Sequence, residues 1–252
     1  LYDFMQFDKV HCLFERSGTF KGVFKSLGYR AFDYDIEETE SVDYCVDLFD
    51  HIDSYAVLSH DTIFDGISKD DLVMAFFPCT YFSDQSQLLS RGDSYGQKDW
   101  LLEGKLEYSA EQMFERTNFY KRLCKLCMIA KHRGFKLVIE NPDGKAGFLR
   151  QYFPIRPALK IRDRRLLGDY YKKPTQFFFI NCSPELGLVS ERDKSQFKRN
   201  RVEDNKGFSR SVISREFAET FRLKRLIVLD TLIIKMPIGS VCQAPIALRG
   251  IP

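Results

Sequence analysis

The sequence predicts an α/β fold in which a mainly parallel sheet carries helices on both faces. The chain has 252 residues, 44% of them hydrophobic, enough for a sizeable core in one large domain or two small ones. Short apolar runs alternate along it with stretches whose apolar residues recur at helical spacing. Two of the runs, residues 72–77 and 136–140, are continuously apolar, as expected of strands buried on both faces.

The first strand–helix–strand unit covers residues 10–35. Residues 10–14 form a short apolar run, and a turn follows them. Residues 19–27 carry phenylalanine, valine and leucine at helical spacing, and Gly28 is typical of a helix C-terminus. Residues 29–35 form the next predicted strand, which ends in acidic residues.

The middle of the chain is predicted to contain two buried strands and one long helix. The strand at 72–77 stops at Pro78, and the strand at 136–140 stops at an Asn-Pro pair. Between them, residues 109–132 have the apolar spacing of a helix, and Gly134 follows it. Residues 84–105 are polar and contain glycine, which predicts a mobile loop.

The alternation of predicted strands and helices is less regular after residue 141. Residues 175–181 are predicted to form a strand, residues 214–226 a helix, and residues 228–236 a further apolar strand. The polar residues 184–211 indicate a surface loop or an insertion.

Composition narrows the class of protein. No apolar run approaches the roughly 18–20 residues that a membrane span needs, and the charged N-terminal residues do not resemble a signal peptide. The seven cysteines have no framework spacing, and the four histidines have no ligand spacing. We therefore expect reduced thiols, no structural metal and a cytoplasmic location.

Charge is unevenly distributed along the chain. The chain has 38 Lys and Arg against 35 Asp and Glu, but in residues 33–71 the acidic residues greatly outnumber the basic ones. Residues 156–173 and 194–210 are basic. Such a chain could present a basic surface to a polyanion, although two solvated faces would give the same pattern.

Four polar features follow predicted strands, where ligands bind in parallel α/β sheets. The first is the turn FERSGTF at residues 14–20, whose small residues let backbone approach a ligand and whose helix N-terminus favours negative charge. The second is Asp35, which could accept hydrogen bonds from both hydroxyls of a ribose. An ordinary loop and a solvated acid are the plain alternatives.

The third and fourth features are Cys79 and Glu140. Cys79 follows Pro78 directly after a buried strand, so its thiol is predicted to point into the crevice as a candidate nucleophile. Glu140 ends the next buried strand, where a carboxylate needs a partner or serves a site. If these two strands are neighbours, both side chains face one crevice, whereas a lone cysteine is more often inert packing.

The order of the four features resembles the DNA (cytosine-5) methyltransferases. In that family a glycine-containing loop, an acid ending the second strand, a Pro-Cys loop and a Glu-Asn loop occur in this order. They correspond here to FERSGTF (14–20), DYDI (33–36), FPCTYFS (77–83) and ENP (140–142). The K-P-T run at 173–175 and SREFA at 214–218 are also similar to family motifs, so the resemblance spans residues 10–227.

The resemblance departs from the family pattern in three places. The first loop has one glycine where F-x-G-x-G has two, and Phe77 replaces a second proline. The Gln-x-Arg-x-Arg motif is present only as the Arg-x-Arg spacing of Arg162 and Arg164.

The resemblance implies a Rossmann-like, S-adenosylmethionine-dependent methyltransferase fold with a small recognition insertion. Its parts would be a cofactor-binding and catalytic core at 1–142, a target-recognition region at 143–213, and a helix and strand at 214–252 that return to the core. The implied reaction is methylation of carbon 5 of a cytosine flipped out of double-stranded DNA, by a monomer of prokaryotic or phage origin.

The resemblance also implies roles for individual residues. The implied catalytic residues are Cys79, Glu140 and Arg164. The implied cofactor-binding residues are Phe14, Glu15, Ser17, Gly18, Asp35, Asp47 and Pro78. The implied substrate-binding residues are Thr80, Asn141 and Arg162.

Two other functions are open on the sequence. One is a catalytically inactive methyltransferase-like protein that binds nucleic acid or cofactor, which the altered first loop favours. The other is a pyrimidine-modifying enzyme that acts on free nucleotides, although Thr80 occupies the position where the thymidylate synthases have histidine. A nicotinamide enzyme is disfavoured because G-x-G-x-x-G is absent.

Overall fold

One sheet of seven strands organises the part of the chain that the computed structural model describes, which is residues 7–57, 61–92, 95–144, 147–184 and 213–225. The strands are β1 (Lys9–Leu13), β2 (Arg30–Asp35), β3 (Tyr44–Cys45), β4 (Leu72–Ala75), β5 (Lys136–Pro142), β6 (Leu159–Ile161) and β7 (Thr175–Ile180). Their order across the sheet is β3-β2-β1-β4-β5-β7-β6.

The helices connect these strands in sequence. They are α1 (Thr19–Ser26), α2 (Leu48–Ser54), α3 (Asp84–Ser90), α4 (Leu102–Arg133), α5 (Phe148–Tyr152) and α6 (Arg215–Arg225). Short 3-10 turns lie at Ile63–Gly66, Tyr95–Gln97 and Arg164–Leu167. None of the helices in the described ranges is long and apolar enough to cross a membrane.

The sheet is mainly parallel, as the sequence predicted. Strands β3, β2, β1, β4 and β5 are parallel neighbours, in the order of the doubly wound nucleotide-binding folds. Strand β7 is antiparallel to both β5 and β6. The architecture is therefore compatible with a Rossmann-like fold that contains one reversed strand.

Helices cover both faces of the sheet, which confirms the second part of the prediction. On one face, Phe20 and Phe24 of α1 pack with Phe217 and Phe221 of α6 in a continuous apolar cluster. On the other face, helices α2, α4 and α5 bury their apolar residues in a second cluster. Strands β4 and β5 are buried from both sides, which explains why they are continuously apolar.

Two predicted boundaries differ from the structure. Residues 84–105 are not one loop, because they contain α3, a 3-10 turn and the beginning of α4, which starts at Leu102 rather than at residue 109. Within the segment 143–213, predicted to serve target recognition, β6 and β7 belong to the sheet. Residues 185–212 and the predicted strand at 228–236 lie outside the described residues.

Candidate functional site

A cleft of about 490 Å³ opens where β1, β2, β4 and β5 end. Most of the predicted site residues line it: Phe14, Glu15, Ser17, Asp35, Asp47, Pro78, Cys79, Thr80 and Glu140. Gly18, Asn141, Arg162 and Arg164 are not among the lining residues. Strand β1 lies between β2 and β4 in the sheet. The acidic end of β2 is therefore on one side of the cleft and Cys79, which follows β4, is on the other.

Glu15 occupies the N-terminus of α1. Its Oε1 accepts a hydrogen bond from the backbone N–H of Thr19 at 3.1 Å and another from the hydroxyl of Ser17. The sequence suggested that this helix end would favour a negatively charged ligand. The structure corrects that expectation, because the protein's own carboxylate already satisfies the free amide there.

Gly18 shapes the first loop without lining the cleft. Its φ of 68° lies in the left-handed region, and a Cβ built on it would stand 2.9 Å from Cβ of Ser41. Both constraints require glycine here. The loop is thereby pressed against the segment that follows β2, where the Ser41 hydroxyl donates to the carbonyl of Arg16 at 2.7 Å.

A buried polar cluster lies beneath this loop. The donor atoms of Cys12, Glu15 and Asp33 lie within 4.8 Å of one another, a composition that could hold a metal ion. However, the ammonium of Lys21 stands 3.2 Å from Asp33 and supplies positive charge. Burial raises the pKa of the Cys12 thiol and, with help from Glu15, raises the pKa of Asp33 to about 8. A proton on Asp33 and the ammonium of Lys21 therefore compensate part of the negative charge of the cluster.

Two acids at the far end of the cleft have structural partners. Asp35 ends β2, and its Oδ1 accepts from the backbone N–H of Glu37 at 3.0 Å. Asp47 caps α2, since its Oδ1 accepts from the N–H of Phe49 at 2.8 Å. Arg16 forms an ion pair with Glu37 at the same end. Sequence reasoning missed Arg16, Glu37 and Phe49, which also line the cleft.

Cys79 lies in the turn that follows β4. The backbone N–H groups of Phe82 and Ser83 donate to its carbonyl at 3.0 and 3.3 Å, so the turn coils tightly after the thiol. Burial raises the pKa of the Cys79 thiol, the positive charge of Lys173 lowers it, and the negative charge of Glu140 raises it. The cleft thus disfavours the thiolate unless a cation compensates.

Glu140 is a buried residue near the end of β5, and Arg164 pairs with its carboxylate. Oε1 of Glu140 lies 3.6 Å from Nη1 of Arg164, whose other nitrogen Nη2 pairs with Asp169. The guanidinium also lies 4.4 Å above the ring of Phe217 in α6. Asp169 in turn accepts from the N–H of Ser214 at 3.1 Å, so Glu140 is linked to the start of α6.

Arg164, Arg162 and Asn141, all implied as site residues, have different environments. Arg164 is buried at 1% exposure behind Glu140, whereas Arg162 is exposed to solvent. Asn141 does not reach the cleft, because its Nδ2 donates to the carbonyl of Phe77 at 3.1 Å and its side chain is buried. Asn141 therefore ties the end of β5 to the loop that carries Cys79.

No protein-family model matches the chain, and no curated protein matches it.

Proposed function

We propose that this chain is an S-adenosylmethionine-dependent DNA cytosine-5 methyltransferase. The observation that carries the proposal is that Cys79, which follows β4, and Glu140, near the carboxyl end of the adjacent parallel strand β5, line one cleft. The same cleft continues to Asp35 at the end of β2. One end could therefore hold a pyrimidine and the other a nucleoside.

The charge of the cleft fits the proposed methyl donor. Its acidic lining residues are Glu15, Asp35, Glu37, Asp47 and Glu140, against two cations, Arg16 and Lys173. S-adenosylmethionine carries a positive sulfonium and no phosphate, so this excess of carboxylates favours it. A dinucleotide would bring a pyrophosphate, and the α1 N-terminus that should receive it is capped by Glu15.

Particular side chains would hold the donor. Asp35 would accept hydrogen bonds from the ribose hydroxyls, and the apolar side chains of Phe14, Ile36 and Phe49 would pack against the adenine. When bound, S-adenosylmethionine supplies the methyl group that is transferred to carbon 5 of cytosine.

The opposite end would activate the base. Carbon 5 of cytosine is a weak nucleophile, and addition of the Cys79 thiolate to carbon 6 would make it enamine-like. Glu140 would share a proton with the ring nitrogen 3 and accept a hydrogen bond from the exocyclic amine, which favours this addition, while Arg164 keeps its carboxyl in place. After methylation, carbon 5 loses its proton to water and Cys79 is eliminated.

A polymeric substrate is supported by basic side chains beside the cleft. The exposed members of this group are Arg150, Arg156, Lys160, Arg162 and Lys172. Lys160 forms an ion pair at 2.9 Å with Asp143, which directly follows β5, so this lysine lies on the Glu140 side, and Arg150 and Arg156 line a second pocket with it. Phosphates of DNA would be attracted there, and the target base would leave the helix to reach Cys79.

The test is methyl transfer from radiolabelled S-adenosylmethionine to DNA of mixed sequence. We expect label in 5-methylcytosine with the unmodified protein, its loss to background in Cys79→Ala, and its retention in Cys45→Ala, which removes an exposed cysteine of β3. Absence of label from all DNA, while calorimetry shows that the donor binds, would contradict the proposal. Free nucleotides would then be tested as substrates.

A further inference from the structure

The connection into β7 brings an ammonium group to the cleft. Lys173 stands two positions before Thr175, the first residue of β7, and its side chain lines the cleft together with Cys79 and Glu140. Because β7 is antiparallel to β5, the start of β7 lies at the end of β5, and Thr175 is paired in register with Pro142. The topology therefore places Lys173 beside the carboxyl end of β5.

Hydrogen bonds fix the backbone around Lys173. The carbonyl of Lys173 accepts from the hydroxyl of Thr175 at 3.0 Å. The next carbonyl, that of Pro174, accepts from the N–H of Asp143 at 2.9 Å. The segment is thus attached to the loop that follows Glu140. The backbone position from which the Lys173 side chain extends is therefore fixed.

The ammonium of Lys173 has no hydrogen-bond or ion-pair partner within the described ranges. The other cation of the cleft, Arg16, is paired with Glu37 at the opposite end. The charged groups that act on the thiol are Glu140 from β5 and Lys173 from the connection to β7. A thiolate at Cys79 would therefore lie between a carboxylate that repels it and an ammonium that attracts it.

We propose that Lys173 stabilises the thiolate of Cys79 and thereby sets the reactivity of this nucleophile. The thiol loses its proton to solvent, and the ammonium balances the charge that remains on sulfur. The inference deepens the proposed function and rests on Cys79 being its nucleophile. Lys173 acts through Cys79 and is in this sense a positioning residue.

The test is the pH dependence of alkylation of Cys79 by iodoacetamide, followed by mass spectrometry of the peptide that contains it. Alkylation requires the thiolate but neither DNA nor methyl donor, and the exposed Cys45 is an internal reference. In Lys173→Met we expect the midpoint for Cys79 to rise by about one pH unit, a roughly tenfold slower reaction at neutral pH. The midpoint of Cys45 should stay constant.

Two control variants distinguish the effect of the Lys173 charge on Cys79 from other effects of a substitution in this segment. Lys172→Met removes the neighbouring ammonium, which is exposed, and should leave the Cys79 midpoint unchanged. Lys173→Arg keeps the charge and should restore most of the rate. If Lys173→Met folds poorly, Lys173→Gln serves for the same measurement.

The possible outcomes are distinct. A Lys173→Met midpoint that matches the unmodified protein overturns the inference, and if DNA affinity falls at the same time, Lys173 belongs to the phosphate contacts instead. A raised midpoint in a protein that methylates no DNA would support the role of Lys173 while contradicting the methyltransferase proposal. Methyl transfer to DNA together with an unchanged Cys79 midpoint would support the methyltransferase proposal while contradicting the role of Lys173.

Discussion

Arg164 and Arg162 differ sharply in environment although two positions separate them. Arg164 is buried between Glu140 and Asp169, with its guanidinium above Phe217, whereas Arg162 is exposed. Removing one member of a buried ion pair leaves the opposite charges uncompensated in a medium of low dielectric constant. The contribution of this arginine to the site is therefore inseparable from its contribution to stability.

Substitution of the two arginines should have unequal effects. We expect Arg164→Met to lower the free energy of unfolding by about 3–5 kcal/mol, because it leaves Glu140 and Asp169 buried without a counter-charge. Arg162→Met should change it by less than about 0.5 kcal/mol, as is usual for an exposed position. Urea unfolding of both variants measures the difference, and equal effects would contradict the burial of Arg164.

At the level of elements, α4 organises the surroundings of the nucleophile through Arg116. Its Nε donates to the carbonyl of Tyr81 at 2.9 Å, and its Nη2 donates to the hydroxyl of Ser90 at 2.7 Å. The guanidinium also lies 5.3 Å from the ring centre of Phe148 in α5. One side chain of α4 therefore connects the Cys79 turn, α3 and α5.

Loss of Arg116 should loosen this group of elements before it unfolds the sheet. In Arg116→Met we expect faster amide hydrogen exchange in residues 80–92, since acceptors on Tyr81, Ser86 and Ser90 lose their donor while the packed stem is retained. Lys121→Met changes an exposed residue of the same helix and should leave that exchange unchanged. Protection of residues 80–92 that is equal in both variants would show that α3 is held by other contacts.

The elements found from sequence are those whose burial creates a pattern. Strands β4 and β5 are buried on both faces and therefore continuously apolar, so their positions could be predicted, whereas their adjacency was only a condition of the predicted site. The first turns of α4 expose Leu102 and Leu106 at 71% and 61%, so no core-facing stripe marks them. Strands β3 and β6, with two and three residues, are too short to show alternation.

The site residues that the sequence predicts share a position at the ends of parallel strands. Cys79, Glu140 and Asp35 lie at or just beyond the carboxyl ends of parallel strands, and the rule that ligands bind at such ends identifies them. Lys173 precedes a strand, and it reaches the cleft only because β7 runs in the opposite direction. The direction of a strand depends on distant pairing, which no local pattern encodes.

For the whole molecule, the buried cluster around Asp33 makes stability depend on pH. The pKa of Asp33 is raised to about 8, mainly by burial, with Glu15 adding to the rise. Between about pH 4, where an aspartate ionises in the unfolded chain, and pH 8, the native state holds more protons than the unfolded state. This group therefore makes the folded protein less stable as the pH rises through that range.

Asp33→Asn tests this linkage. The asparagine cannot ionise, so the free energy of unfolding of the variant relative to the unmodified protein should increase from about pH 4 to about pH 8. Glu38→Gln removes an exposed carboxyl and should produce no such trend. Urea unfolding across this range measures both, and a constant difference for Asp33→Asn would mean that Asp33 is ionised in the native state.

The shortness of β3 and β6 has a consequence beyond the topology. These two strands form the edges of the sheet, with two and three residues respectively, and the middle residue of β6 is Lys160, which is exposed. An edge of this length offers few unpaired backbone groups to another polypeptide, and a charged side chain on it opposes close approach. The sheet is thereby protected against strand-to-strand aggregation when the protein is concentrated.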